Sequence, residues 1–276
     1  MGKWSSMAIK NRLSLNQMTV ANLTLPQAVD SCVRHGVLNI GLWRHRIEEV
    51  GTFAAAQLIK DSGINVSSVC RGGMFPDPSA NGREARINDN FRAIDQAAAL
   101  EADSLVLVVG ADPSVPLPDA RQMVVDGLAR IVPYAQTAGV RLALEPLHPM
   151  YAGDRSVLNT IDHALALATP YDPTALGIIL DTFHIWWDPA LEAAIARCTT
   201  RVAGFHVCDW LVPLPDVLMG RGLMGEGVIE IPRIRQMVDD TGYEGPIEVE
   251  IFNQSLWNMP SDEVMQKVIA SFAAYV

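Results

Sequence analysis

The chain has 276 residues and carries 31 acidic against 21 basic side chains, which gives a formal net charge of −10. With 49% hydrophobic and 19% charged residues, it has the composition of a globular protein rather than of a disordered one. The negative charge argues against binding nucleic acid or an anionic membrane through the general field of the protein. No apolar run of ~18 residues is present to span a bilayer. We therefore expect a cytoplasmic protein without a nucleic-acid or membrane partner.

The first residues differ from the rest of the chain. Residues 1–11 lack the apolar run of a signal peptide. We expect them to be a leader, either disordered or left from cloning, attached to a single domain that accounts for residues 1–276 as a whole.

Short β-rich runs alternate eight times with longer stretches of helical periodicity, and no composition shift marks a linker. The predicted strands are Leu13–Asn16, Leu38–Leu42, Asn65–Cys70, Ser104–Gly110, Arg141–Glu145, Leu176–Asp181, Val202–Val207 and Ile247–Ile251. The predicted helices are Leu25–His35, Ile47–Ser62, Arg83–Leu100, Asp119–Ala138, Ser156–Ala168, Asp188–Arg197, Ile231–Asp240 and Asp262–Tyr275. Alternation alone also fits an open doubly wound sheet, but the count of eight favours an α/β fold with one closed (β/α)8 TIM barrel.

The carboxyl ends of barrel strands form the catalytic face of such a fold. Four consecutive predicted strands, the fifth to the eighth, each bring one carboxylate or imidazole to that face: Glu145, Asp181, His206 and Glu250. A single acid at a strand end is usually a helix cap or half of a surface ion pair. Four in a row, on strands ~4.8 Å apart, are better explained by one divalent cation that relieves their mutual repulsion. Three oxygens and one nitrogen suit Mn²⁺ best, with Mg²⁺ or Co²⁺ as alternatives.

Glu248 precedes Glu250 by two residues, so both side chains lie on the same face of one strand. We assign the ligand role to Glu250 because it is nearer the carboxyl end. Glu248 then lies one layer deeper in the barrel and needs a partner, for which an arginine is the expectation.

Five stretches of the sequence, LALEPLH, LGIILDTFH, VAGFHVCDW, MGEGVIEI and IEVEIFN, resemble the sugar phosphate isomerase/epimerase superfamily. This is the xylose-isomerase-like barrel group that includes D-tagatose 3-epimerase, inosose dehydratase and endonuclease IV. The resemblance covers essentially the whole barrel. It implies that Glu145, Asp181, His206 and Glu250 bind one metal ion, and that Glu145 and Glu250 also exchange the proton at the reacting carbon. It further implies that His184 and Arg221 bind the substrate, and it allows a homo-oligomer.

Further candidates for substrate binding lie at or just beyond strand ends: Trp43, His148, Asp209 and Trp257. Tryptophans at these positions, including Trp186, Trp187 and Trp210, either pack between helices and barrel or form an aromatic rim for a sugar or an aromatic aglycone. Arg71, Arg83, Arg86 and Arg155 could line the mouth. Because lysine is absent from that region, we do not expect a phosphorylated substrate.

The leading hypothesis is a metal-dependent isomerase or epimerase that acts on a keto sugar through an enediolate, with carboxylates as acid and base. The alternative is a lyase of the same superfamily, which dehydrates a keto-polyol or removes an aglycone from a 3-oxo-glycoside. A nuclease is disfavoured by the net charge and the few histidines. A non-catalytic sugar-binding barrel would not need the complete set of four ligands.

Overall fold

Short apolar runs that are buried on both faces form the strands of this protein, as expected for a parallel sheet covered by helices. The computed structural model describes residues 12–276, so the expected leader, residues 1–11, lies outside the described residues. The barrel strands are β1 (Leu13–Asn16), β2 (Asn39–Trp43), β3 (Asn65–Gly73), β4 (Leu105–Val108), β5 (Leu142–Leu144), β6 (Leu176–Asp181), β7 (Val202–Val207) and β10 (Ile247–Val249). Each agrees with its predicted range to within three residues at either end.

The strands close into a ring in the order β1-β10-β7-β6-β5-β4-β3-β2, and every neighbouring pair is parallel. Strand β1 pairs with both β2 and β10, which is the contact that an open sheet would lack. The predicted (β/α)8 barrel is therefore confirmed. Two short antiparallel strands outside the ring, β8 (Asp209–Trp210) and β9 (Arg221–Gly222), form a ribbon within the β7–β10 connection.

Helices surround the ring. They are α1 (Leu25–His35), α2 (Arg44–Val50), α3 (Thr52–Ser62), α4 (Ala80–Ala99), α5 (Leu117–Ala138), α6 (Ile161–Ala168), α7 (Thr182–Ile185), α8 (Leu191–Cys198), α9 (Ile231–Asp239), α10 (Gln254–Trp257) and α11 (Ser261–Tyr275). Within residues 12–276, no helix is both long and apolar enough to cross a membrane.

Two predicted helices differ from the structure. The stretch predicted from Ile47 to Ser62 is two helices, because Gly51 adopts φ 85° and ψ 142° and interrupts the helical backbone. The helix predicted from Ser156 begins only at Ile161. Before it, the backbone of Val157 donates to the carbonyl of Gly110, and Leu158 accepts from the backbone of Leu147.

The interior of the barrel has an apolar side and a polar side. Cys70, Val106, Ala143, Ile179 and Ala203 form one buried apolar cluster on strands β3 to β7. Elsewhere the interior is polar. It contains the fully buried Ser14, Asn16, Ser68 and Glu248. The larger apolar core lies between the strands and the helices, so the polar interior needs partners of its own.

Gly73, near the end of β3, should tolerate a side chain far less well than Gly36 does. Gly73 has φ 96°, and a Cβ there would lie 2.1 Å from the backbone oxygen of Val108. Gly36 has φ 69° with nothing within 4 Å of an added Cβ. We expect Gly36→Ala to lower the free energy of unfolding by ~1 kcal/mol, and Gly73→Ala to lower it by more than ~2 kcal/mol. Urea denaturation measures both, and equal losses would contradict the clash.

Candidate metal centre and active site

Four buried side chains from consecutive strands of the ring meet at the carboxyl end of the barrel. Asp181 ends β6 and His206 lies in β7, while Glu145 and Glu250 follow β5 and β10 directly. Each is at most 5% exposed. One ligand atom from each residue lies within 4.8 Å of the other three. The structure thus brings together all four of the residues predicted to bind the metal.

The donor atoms fit a divalent cation. His206 Nδ1 is buried without a hydrogen-bond partner and lies 3.7 Å from Glu145 Oε1. The other ring nitrogen, Nε2, lies 3.8 Å from Glu248 Oε2. Burial disfavours the imidazolium, but the carboxylates of Glu248 and Glu250 outweigh this and raise the pKa of His206. Nδ1 thus has no hydrogen-bond partner and lies beside carboxylates, while Glu248 lies near the other ring nitrogen. This is the arrangement of a metal-binding histidine.

Glu248 is held by neutral donors, and the expectation of an arginine partner was wrong. Asn16 Nδ2 donates to Glu248 Oε1 at 2.6 Å, and Ser67 Oγ donates to Oε2 at 2.7 Å. Ser68 Oγ donates to Oε2 at 2.9 Å. Gly41 makes room for the carboxylate, since a Cβ there would lie 2.1 Å from Glu248 Oε1. These contacts leave the carboxylate fixed beside His206 without neutralising it.

Arg221, on β9, places a guanidinium among the acids. Its Nη1 lies 3.1 Å from Asp181 Oδ2 and 2.9 Å from Glu250 Oε2. The guanidinium carbon lies 4.7 Å from the ring centre of Phe183 and 5.1 Å from that of Phe252. This permanent cation compensates part of the carboxylate charge from within the site.

The acids of the cluster differ in proton affinity. Burial and the charge of Glu250 raise the pKa of Glu145 to about 8. Burial also raises the pKa of Glu250, against the opposing effect of Arg221. Burial acts in the same direction on Asp181, but Arg221 outweighs it and lowers the pKa of this carboxyl. Near neutral pH the cluster without metal therefore keeps Asp181 ionised and holds a proton on Glu145.

His184, in the short helix α7, is a buried neutral imidazole. Burial lowers its pKa to about 3. Two donors face the ring: the backbone N–H of His148 lies 3.2 Å from Nδ1, and Arg221 Nη2 lies 3.2 Å from Nε2. A neutral imidazole accepts at one nitrogen only, so one of these two contacts is a hydrogen bond. Nε2 also lies 3.6 Å from Asp181 Oδ2, which holds the ring next to the acids.

A cavity of about 250 Å³ opens above the cluster. Of the predicted substrate-binding residues, Trp43, His184 and Arg221 line it. The indole of Trp43 donates to Asn16 Oδ1 at 3.0 Å. The remaining lining residues are Cys70, Arg71, Met74, Val108, Glu145, Leu147, Tyr151, Asp154, Arg155, Leu218, Glu250 and Phe252.

Three residues predicted to bind substrate do not line this cavity and have other partners. Asp209 accepts hydrogen bonds from the backbone amides of Gly225 and Ile229, so it shapes its own loop. The indole of Trp257 donates to the carbonyl of Met18 at 2.6 Å. The ring of His148 accepts from the backbone of Met150 and lies against Trp187 and Trp210.

The packing interpretation holds for most of the tryptophans. Trp186 and Trp210 lie against each other, and Trp210 stacks on Phe183 with ring centres 4.7 Å apart. Neither they nor Trp187 line the cavity, so among residues 12–276 Trp43 is the one tryptophan at its wall.

Some residues that support the site were missed in the sequence. Asn16, Ser67 and Ser68 are buried polar residues within otherwise apolar strands. That pattern was available as a signal, because a buried polar group needs a hydrogen-bond partner. Tyr151 carried no such signal. Its hydroxyl donates to the carbonyl of Val217 and joins the β5–α6 connection to the long β7–β10 connection.

Comparison with known proteins agrees with this geometry. The model of the xylose isomerase-like TIM barrel family matches residues 43–275. The solved structure of protein SMc04130 from Sinorhizobium meliloti 1021 is 42% identical, with a TM-score of 0.94 over 97% of this chain and 98% of that one.

Two curated relatives match parts of the chain. The 3-dehydroshikimate dehydratase of Pseudomonas putida is 30% identical over 147 residues, which cover 51% of this chain and 22% of that protein. The ketose 3-epimerase of Arthrobacter globiformis is 26% identical over 135 residues, or 47% of this chain and 41% of that protein. The matched segments thus span less than half the length of these two relatives.

Metal binding should release protons and weaken as the pH falls. Glu145, with a pKa of about 8, must lose its proton to act as a ligand, and so must His206, whose pKa is raised. We expect the apparent Kd for Mn²⁺ to rise at least about tenfold per pH unit from pH 7.5 to pH 6. Calorimetric titration in buffers of different ionisation enthalpy counts the protons. An affinity independent of pH over this range would contradict the assignment.

Glu248→Gln should weaken metal binding while leaving all four ligands in place. The amide has an NH₂ group in place of one carboxylate oxygen, and that group cannot accept from Asn16, Ser67 or Ser68. We expect the side chain at position 248 to move away from His206 as a result. We expect the Mn²⁺ affinity to fall about 10- to 100-fold, measured by calorimetry on protein whose circular dichroism matches wild type. Glu192→Gln, at an exposed position, is the control. Unchanged affinity in Glu248→Gln would show that Glu248 does not orient the ligand.

Proposed function

This chain belongs to the xylose isomerase-like TIM barrel family, and we propose that it is a divalent-metal-dependent epimerase or isomerase of a keto sugar or sugar-derived ketone. The reaction exchanges the proton at the carbon next to the carbonyl through an enediolate. Glu145, Asp181, His206 and Glu250 would hold the metal. We propose Mn²⁺ as the resident ion, with Mg²⁺ or Co²⁺ as alternatives, because three oxygens and one nitrogen suit these ions.

The observation that carries the proposal is the placement of Glu145 and Glu250. They follow β5 and β10, the two ends of the four-strand arc, while Asp181 and His206 lie between them. Both line the cavity. A flat substrate centred over the arc has one carboxylate on each side. One glutamate can then remove a proton from one face while the other returns a proton to the opposite face, which inverts the carbon.

The ligand role suits this exchange. As a metal ligand Glu145 would be ionised, so it would begin the reaction as a base and hold the proton that it removes. A divalent cation bound by the four ligands would stabilise the negative charge that develops on the substrate oxygens. His184 and Arg221 both line the cavity, and the guanidinium of Arg221 offers N–H donors to those oxygens. The apolar side chains of Trp43 and Phe252 exclude water beside them.

A lyase reaction is the second candidate. One matched relative is named a ketose epimerase and the other a dehydratase, and the same enediolate expels a leaving group from the next carbon. Elimination needs only one carboxylate to remove a proton and a group that protonates the departing hydroxyl. Removal of an aromatic aglycone is less well supported, since Trp186, Trp187 and Trp210 do not line the cavity.

The reaction class is tested by incubating Mn²⁺-loaded protein in D₂O with a panel of 2-ketohexoses and cyclic keto-polyols. We expect deuterium to enter at a carbon next to the carbonyl, with an epimer as product, as measured by NMR. Glu145→Gln and Glu250→Gln should each slow the exchange by about 10²- to 10⁴-fold.

The metal content of each variant is measured in parallel, and the exposed Glu192→Gln should exchange like wild type. An unsaturated product without an epimer would establish the lyase. Absence of exchange on every substrate, with the metal bound, would overturn the proposal.

A further inference from the structure

In residues 12–276, two arginines at the cavity have neither an ion-pair partner nor a hydrogen-bond acceptor for their guanidinium groups. Ten of the 17 arginines form ion pairs with acids. Four others donate to backbone carbonyls: Arg83, Arg121, Arg141 and Arg201. In the described part of the chain, the guanidinium groups of Arg71, Arg86 and Arg155 have neither kind of partner. Two of these three, Arg71 and Arg155, line the cavity.

Because acids outnumber bases in this protein by ten, a lack of available carboxylates does not explain the two unpaired cations. Arg71 is half-buried, and a partly desolvated cation without a partner costs free energy. Arg155 is exposed and lies over the ring of Tyr151, with its guanidinium carbon 5.3 Å from the ring centre. Both guanidinium groups line the cavity with N–H donors free for a ligand.

Arg71 is mounted on a rigid element. Its carbonyl accepts a hydrogen bond from Arg44 Nη1 at 3.3 Å. Two residues further on, Asn90 donates to the carbonyl of Gly73 and accepts from its amide, at 2.8 and 2.7 Å. Strand β3 stands four places from β7 in the eight-strand ring. Arg71 therefore faces His206 across the mouth of the barrel.

The charge at this end of the cavity matches a monoanion. The exposed Asp154 also lines the cavity, and in the described part of the chain it forms no ion pair with either arginine. Asp216, whose charge interacts with Arg155 at longer range, accepts from the backbone amides of Leu218 and Met219. Two arginines and one aspartate leave a single positive charge. This charge balances the single negative charge of one carboxylate, and guanidinium groups bind carboxylates in bidentate geometry.

We infer that the substrate is a sugar-derived ketone that carries a carboxylate group, bound by Arg71 and Arg155 at the wall of the cavity. This inference rests on the proposed function for the carbonyl end of the substrate. The two arginines determine substrate specificity. They bind the carboxylate end of the substrate, and thereby set which of its carbons lies between Glu145 and Glu250.

The test compares three matched substrates: a 2-ketohexose, its 6-carboxylate and its 6-phosphate. With Mn²⁺-loaded protein, we expect kcat/KM for deuterium exchange to be at least about tenfold higher for the carboxylate than for the neutral ketose. Arg71→Gln and Arg155→Gln should each lose about 10- to 100-fold on the carboxylate, mostly through KM, and less than about twofold on the neutral ketose. Arg86→Gln, the third unpaired arginine and one that does not line the cavity, is the matched control.

Equal rates on the carboxylate and the neutral ketose, or equal losses on both in the arginine variants, would overturn the inference. So would a preference for the phosphate that disappears in those variants. A second measurement separates this inference from the proposed reaction. Calorimetry with the unreactive pair gluconate and sorbitol should give tighter binding of gluconate, lost in Arg71→Gln and Arg155→Gln and retained in Arg86→Gln. That result would support the carboxylate site even if no substrate exchanged a proton, and equal binding of the pair would contradict it.

Discussion

The repulsion between buried carboxylates at one end of the barrel is the constraint on which the rest of the site depends. Two carboxylates ~5 Å apart repel by about 3 kcal/mol even at an effective dielectric constant of 20, and here three of them share one cluster. The protein answers this repulsion in three ways. Arg221 contacts Asp181 and Glu250, Glu145 keeps a proton, and the donor atoms converge where a divalent cation would neutralise them. The property that makes the cluster costly to fold is thus the one that would let it bind a metal and exchange protons.

The barrel interior supports this cluster from below. Asn16 donates one N–H to Glu248 at 2.6 Å and another to Glu250 at 3.1 Å, so a single amide joins the supporting acid to the outer one. The carbonyl oxygen of Asn16 in turn accepts from Trp43 at the cavity wall. A buried network of this kind stabilises only if each member is satisfied. The two serines of β3 and the glycine of β2 complete it, and the apolar residues fill the opposite half of the interior.

The proposed chemistry and the proposed carboxylate recognition use partly different strands. The four candidate ligands come from β5, β6, β7 and β10, whereas Arg71 comes from β3 and Arg155 from the connection after β5. Side-chain hydrogen bonds join the connections that lie over the carboxyl end of the barrel to each other. Asn253 Nδ2 donates to the carbonyl of Arg221 at 2.8 Å, and the hydroxyl of Tyr151 donates to Val217. Substitutions in these connections can therefore change which substrate is bound, while the strands that carry the acids stay the same.

Local sequence determined the strands, most helices and the residues of the acidic cluster, because each depends on hydrophobic periodicity or on position at a strand end. Glu145, Asp181, His206 and Glu250 could be chosen from the sequence for that reason alone. The tertiary structure decided everything that depends on which side chains meet across the barrel. It closed the ring through β1, gave Glu248 neutral donors from β1 and β3 instead of an arginine, and turned Asp209 and Trp257 toward backbone groups. The partners of Glu248 and Trp257 are more than a hundred residues away, and those of Asp209 are 16 and 20 residues away. Such contacts leave no periodic trace in a single sequence, since they are set by the packing of the chain.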